Sequence, residues 1–379
     1  MIKIKSDKII IGESLFDGYV YALNGKIVEI SKEDKPCEKS YDYTGKYVSA
    51  GFIDIHTHGA GGYAFMNSTV EDVIAGCDYH LAHGTTSIVP TISAGEFATM
   101  RQAVINIHKA KGKTKGNILG AHLEGPYLSP KQAGAQCPVF ITPPKKEDYE
   151  RLIEEYGESI TRWTYAPEND TNGEFCKYLT EHNIIASAGH TDAKYSDMDI
   201  AINNGCDLIT HLYSCTSTVT RDHGFRSLGV IESAYLRDEL YVEIIADGKH
   251  LPPDLIKMII KIKGTDKVAL ITDSLEIAGT DIKEGVMSGT KFIVEDGVCK
   301  LRDRSAFAGS VATADCLIRT LVNECGYTIP TAVKMLTEVP AGILNIRKGK
   351  LVADYDADII VFDEDISVSS IFVNGKKKQ

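Results

Sequence analysis

Four histidines and two carboxylates stand at the ends of short apolar runs: His56 and His58 in "GFIDIHTHG", Glu124 in "HLEGP", His190 in "AGHT", His211 in "THLY" and Asp273 in "ITDS". On a strand, residues i and i+2 project to the same side, so His56 and His58 would aim two imidazoles into one space. Any one of the six has an ordinary structural use, since a strand-end carboxylate accepts backbone N–H groups and a lone histidine satisfies a nearby carbonyl. Together they offer the nitrogen and oxygen ligands that Zn²⁺ or Fe²⁺ prefers, and Glu124 could bridge two ions with one oxygen on each. Such an ion lowers the pKa of bound water toward about 7, and a carboxylate only partly used in coordination takes the proton. Asp273 is the candidate for that base.

These residues need a scaffold that brings strand ends together. From Phe52 onward, β-rich runs alternate with amphipathic segments, the mark of βα units around a parallel sheet. Eight runs are visible: 52–58, 85–92, 117–125, 162–168, 183–190, 207–213, 240–247 and 267–273. Between the first two, Val70, Val73, Ile74, Cys77 and Leu81 keep a helical period that stops at Gly84, and "PPDLIKMIIKIKG" opens with proline and ends at Gly264. A closed (β/α)8 TIM-like barrel over residues 51–345 is the expected fold, and in that architecture the chemistry sits at the C-terminal ends of the strands. All six residues fall there.

The flanks read differently. Residues 1–50 and 346–379 hold alternating strands without helical period, and Asn24-Gly25 and Asn374-Gly375 are hairpin signals, so both ends are expected to join in one small β-sandwich domain. The stretch "GVMSGTKFIVEDGVCKLRDRSAFAGS" after the eighth run also reads as a β-hairpin, before helices near 313–325 and 330–338.

With 379 residues, 43% of them hydrophobic, the chain can bury a large core, and no apolar run reaches the roughly 20 residues of a membrane helix. "MIKIKSDKIIIGES" alternates like a strand and lacks a signal peptide's apolar segment. Nine scattered cysteines without a CxxC suggest reduced thiols and a cytoplasmic protein with no cysteine zinc site. A net charge of −11 disfavours nucleic acid or an anionic membrane as partner, and "KKK" before Gln379 reads as a solvated tail. An anionic substrate would need a local basic pocket.

The succession "GFIDIHTHG", "HLEGPYLSPKQAGA", "AGHT", "THLY", "IADGKH", "ITDS" and "FAGS" resembles N-acetylglucosamine-6-phosphate deacetylases of the amidohydrolase superfamily over nearly the whole chain. The resemblance implies a metal-dependent barrel with a β-sandwich, usually a homodimer, that removes acetate from an amino-sugar phosphate. It carries His56, His58, Glu124, His190, His211 and Asp273 to metal positions and Asp273 to the general base; retention of both first histidines implies two divalent ions, Zn or Fe, with Mn a further option. It also implies substrate contacts at His250 in "DGKH", at Gln136, and along Phe307, Ala308 and Gly309, where backbone meets the sugar. Ser214 and Cys215 stand where the family commonly reads Asn and Ala, which leaves open the glucosamine or galactosamine epimer as substrate. Arg226 best matches the phosphate arginine, with Arg221 and His223 as rivals. A cyclic amidase of the same superfamily commonly bridges its metals with a modified lysine, and Glu124 in that place argues against one.

Overall fold

The computed structural model describes residues 1–287 and 290–379 and, within them, no side chain for Asp222, Met287 or Thr290. Eight parallel strands form the barrel: β1 (Phe52–Thr57), β2 (Thr85–Ser93), β3 (Ala121–Glu124), β4 (Ile160–Tyr165), β5 (Ile185–Ala188), β6 (Leu208–Ile209), β7 (Tyr241–Ile245) and β8 (Val268–Ile271). Each pairs with the next in chain order from β1 to β8. The ring comes near to closing where Asp273 N–H donates to His56 O at 2.9 Å. Helices α1 (Val70–Ala82) to α7 (Pro253–Lys263) and α8 (Ala314–Asn323) cover the outside.

Local chemistry sets these bounds. Thr69 caps α1 by accepting from Asp72 N–H, while the Asp72 carboxylate takes Thr69 N–H in return, a reciprocal cap that satisfies two otherwise orphaned donors. Val73, Cys77 and Leu81 are the buried stripe of that helix. Gly84, at φ +93°, then turns the chain into β2, and a Cβ there would meet the Phe52 ring at 2.8 Å. Ile245 stands two residues from Glu243 and Ile271 two from Asp273, so they share an inward face; with Val89, Leu208 and Ala269 they form an apolar cluster under the polar rim.

The terminal segments build one mixed sheet. Its strands run in the order 376–377, 368–373, 359–362, 47–50, 2–11, 14–23 and 26–31, with 39–42 also on 2–11. The small sandwich domain expected of the two termini is hydrogen-bonded as one continuous sheet that curls onto a core of Ile4, Ile9, Ile27, Val48, Ile359 and Phe372. Its far edge returns to the middle, because Ile27 N–H donates to Tyr355 O at 2.9 Å and Ala357 N–H to Gly25 O at 2.8 Å. Both hairpin turns have two successive positive φ values, Asn24 and Gly25 at 52° and 82°, Asn374 and Gly375 at 49° and 69°. That backbone suits the twist of tight hairpins.

Lys376–Lys377, expected in a solvated tail, are exposed but pair with 372–373 as a short edge strand. The insert after β8 is a three-stranded antiparallel sheet, Glu284–Met287, Thr290–Glu295 and Val298–Leu301; the expected hairpin also includes Ser288 and Gly289, which lie outside the described residues. No helix among the described residues is long and apolar enough to cross a membrane.

Candidate active site

Three of the six residues share one backbone device. His190, His211 and Asp273 each sit two residues beyond a strand, with φ of 47°, 27° and 46°. Left-handed backbone in such residues costs on the order of 1–3 kcal/mol each and persists only where neighbours over-determine it. Here they do: Ser129 N–H donates to His190 O at 2.8 Å, and Ser310 N–H to Asp273 O at 3.0 Å. The kink turns each side chain across the mouth of the barrel. In β1 a register slip between Asp54 and Thr57 acts similarly, braced by Asp54 Oδ1 accepting His56 N–H at 3.2 Å and by Thr272 Oγ1 donating to Asp54 Oδ2 at 2.6 Å.

Glu124 closes β3 at the centre of the group. Its Oε1 lies 2.9 Å from His211 Nε2, 3.2 Å from His190 Nε2 and 3.3 Å from His56 Nε2. Its Oε2 lies 3.2 Å from His58 Nε2. Asp273 Oδ1 is 3.4 Å from His56 Nε2 and 3.2 Å from His58 Nε2. The arrangement resolves into two halves that share Glu124: His56, His58 and Asp273 on one side, His190 and His211 on the other. Two ligand groups fall within metal-binding reach, His56 with His58 and Asp273, and His56 with Glu124 and His211.

Every imidazole is fixed through its Nδ1. His58 Nδ1 meets Ser93 Oγ at 3.0 Å, His190 Nδ1 the Gln132 carbonyl at 2.9 Å, His211 Nδ1 the Ser214 carbonyl at 3.0 Å, and His56 Nδ1 the Glu243 carboxylate at 3.4 Å. A ring that donates from Nδ1 keeps its Nε2 lone pair for a metal. Buried His56 Nε2 makes no hydrogen bond despite the two carboxylate oxygens beside it, an orphan that a cation would satisfy. Burial presses His56 and His58 toward the neutral form, but the carboxylates of Glu124 and Asp273 outweigh it and hold them up at about 10 and about 9. Burial likewise pushes Glu124 up, and the imidazoles of His56 and His190 overcome it to keep the carboxylate well below its usual range. The carboxylates gathered around these rings call for positive charge, which a divalent cation supplies. Four imidazoles and two carboxylates suit Zn²⁺ or a similar divalent ion.

The amidohydrolase family model matches residues 47–378. The chain belongs to that family. It is 33% identical over 369 residues to the N-acetylglucosamine-6-phosphate deacetylase of Bacillus subtilis (strain 168), covering 94% of this chain and 91% of the relative. It is 29% identical over 363 residues to the N-acetylgalactosamine-6-phosphate deacetylase of Shewanella sp. (strain ANA-3), covering 95% of this chain and 89% of that one. The crystal structure of N-acetylglucosamine-6-phosphate deacetylase from Pasteurella multocida superposes with a TM-score of 0.92 at 29% identity, over 100% of this chain and 99% of the other.

In this amidohydrolase the donor cluster opens into a cavity of about 540 Å³, lined also by Gln136, Ser214, Cys215, His250, Phe307, Ala308 and Gly309. Gln136 is tied at both ends: its Nε2 donates to Glu124 Oε2 at 2.6 Å and its Oε1 accepts Ala94 N–H at 2.9 Å, so one N–H remains for a ligand. His250 Nδ1 meets Asp247 Oδ2 at 2.8 Å, which turns Nε2 outward, and the Phe307 ring stacks edgewise on it at 5.0 Å.

The phosphate candidates are elsewhere. Arg221, His223 and Arg226 lie on an antiparallel hairpin, Thr220–Asp222 against Phe225–Ser227, and none lines the cavity. Arg226 is exposed and donates to its neighbour Gly224 O at 3.3 Å.

Sequence reasoning passed over several residues that this amidohydrolase site uses. Glu243 and Arg162 are single charges inside the strands "YVEII" and "ITRWTY", and both are fully buried. Ser93 is the partner of His58, and Asp247 that of His250, whose backbone N–H it also accepts along with that of Lys249. A charge inside an apolar barrel strand was the available signal for the first two, and the "DG" of "DGKH" for Asp247.

Proposed function

We propose that this chain hydrolyses the acetamide of N-acetylglucosamine 6-phosphate, releasing glucosamine 6-phosphate and acetate. The observation that carries the proposal is Glu124 set between two histidine pairs with Asp273 beside them, at the floor of a sugar-sized cavity. The relatives' activities support the substrate class. Residues 51–345 would carry the reaction and the segments 1–50 and 346–379 would support it, within a reducing cytoplasm that suits nine unpaired thiols.

His56, His58, Glu124, His190, His211 and Asp273 would hold two divalent ions, Zn or Fe, with Mn as an alternative. Such ions polarise the acetyl carbonyl and make water nucleophilic at neutral pH. Asp273 takes the proton of the attacking water and then gives it to the departing amine. His250, whose Nδ1 proton is held by Asp247, accepts a hydrogen bond from a sugar hydroxyl through Nε2; Gln136 holds Glu124 and offers its remaining N–H. Phe307 and Ala308 present backbone to the ring, and Ser214 and Cys215 face the sugar where they bear on epimer choice.

For the phosphate we propose Arg226, with His223 and Arg221 as neighbours. Its hairpin exposes Phe225 to 80%, and within one chain the guanidinium stays outside the cavity. Homodimers that bury Phe225 and bring the hairpin to a partner's cavity meet both facts.

The test is acetate release from phosphorylated and free N-acetyl sugars of both epimers after reconstitution with Zn²⁺, Fe²⁺ or Mn²⁺. Turnover of the glucosamine 6-phosphate derivative with two metal equivalents is expected. No acetate from any sugar would defeat the proposal, and a faster galactosamine reaction would redirect it to the other epimer. Arg226→Ala should reduce the preference for phosphorylated over free sugar by about 2–5 kcal/mol. An unchanged ratio of kcat/KM would shift the phosphate role to Arg221.

A further inference from the structure

Beneath the rim, a charged pair is sealed inside the barrel. The Arg162 guanidinium and the Glu243 carboxylate are 0% exposed and meet through two hydrogen bonds, Nη1 to Oε1 and Nη2 to Oε2. The other Arg162 contacts fix its position: Nη1 donates to Ile55 O at 3.2 Å, and Nη2 to Ser187 Oγ and Thr210 Oγ1 at 3.1 Å each. A buried pair of this kind costs desolvation energy and is weak support for stability alone, so its placement calls for another reason. Glu243 Oε2 lies 3.4 Å from His56 Nδ1 and accepts the His211 backbone N–H at 3.4 Å, so one oxygen reaches both halves of the donor cluster. The nearest competing ring, His122, has both nitrogens engaged, by Thr91 Oγ1 at 3.0 Å and Thr164 Oγ1 at 2.8 Å.

We propose that Glu243, charge-balanced by Arg162, is the positioning residue that keeps the His56 proton on Nδ1 and leaves the Nε2 lone pair for the metal that His56 would share with His58 and Asp273. Ile55, whose carbonyl Arg162 holds, directly precedes His56, so the pair aligns the strand as well as the ring. The inference rests on the metal reading of the cluster and adds to it a residue outside the ligand set.

Two measurements on the full chain test it. In Zn²⁺-loaded, ¹⁵N-histidine-labelled wild type, with His56 assigned by its loss in His56→Asn, Nδ1 should carry the pyrrole-type shift of a protonated nitrogen. A pyridine-type shift at His56 Nδ1 overturns the proposal, and this readout needs no Glu243 variant to fold. Second, the paired substitution Arg162→Gln with Glu243→Gln, which removes both charges together but leaves an amide oxygen to accept the His211 N–H, should weaken one Zn²⁺ equivalent about 10–100-fold in chelator competition and leave the other unchanged. In a His56→Asn background the same pair should change nothing further. Equal weakening of both equivalents, or additive losses with His56→Asn, would assign the pair to general barrel packing. Wild type that takes up no Zn²⁺ would defeat the metal reading itself, an outcome separate from either.

Discussion

The two halves of the donor cluster are built by different means. In the first, His56 lies at the end of β1 just before Thr57 and His58 just beyond it, and both are held by side chains, the Glu243 carboxylate and the Ser93 hydroxyl. In the second, His190 and His211 stand in left-handed backbone and are held by main-chain carbonyls of Gln132 and Ser214. Side-chain anchors can be lost or tuned by one substitution, whereas a carbonyl anchor survives any substitution that preserves its loop. The first half is therefore the adjustable one, and the second is fixed by the fold.

Asp273 separates chemistry from construction, because it belongs to the first half yet has the kinked backbone of the second. Asp273→Asn should lower kcat by roughly 10²–10⁴-fold while the fold persists, as an amide cannot accept the water's proton. Near-wild-type turnover of a metal-loaded variant would remove it as the base.

Acidification should loosen the first half before the second. His80 is buried beneath it, its Nε2 shared by Thr57 Oγ1 at 3.0 Å and Gly59 O at 3.1 Å, and burial pushes its imidazole down from 6.5 to about 4. The unfolded chain binds that proton first, so this stability is fully present above the unfolded value of 6.5 and is lost as pH falls from there to about 4. The loss should approach about 3 kcal/mol. Denaturant midpoints of wild type and His80→Gln should converge toward pH 4; parallel curves would contradict the assignment.

The comparison itself breaks or holds on two small changes. Ser93→Ala removes the anchor of His58 and should weaken one metal equivalent by about tenfold. Ser214→Ala retains the carbonyl that His211 uses and should leave metal affinity where it was, by the same chelator competition. If both variants, or neither, lose metal, the distinction between side-chain and main-chain anchoring fails.

Much of this was readable in advance, for identifiable reasons. Barrel strands announce themselves because β-rich runs end in polar residues, and His56, Glu124 and Asp273 were conspicuous for being polar where the runs stop. Asn-Gly pairs disclosed the terminal hairpins because few other dipeptides accept two positive φ values. Glu243 and Arg162 stayed hidden since a lone charge in a strand reads the same whether it faces water or a sealed partner. How the terminal sheet curls closed is not legible locally, because pairing between residues 25–27 and 355–357 is a long-range event. Arg226 matches the family's phosphate arginine by its place in the sequence, and the reach of its hairpin depends on tertiary context that the sequence does not display.

The terminal sheet also fixes when, during biosynthesis, its pairing can be completed. Strand 47–50, which feeds β1, hydrogen-bonds on one side to 2–11 and on the other to 359–362, a strand translated only after all eight barrel strands. During translation the edge of 47–50 must therefore wait, unpaired, while just over three hundred residues emerge, and an open edge invites the wrong neighbour. A nascent chain arrested before residue 359 is the species in which a ribosome-associated chaperone would find this protein most in need of cover.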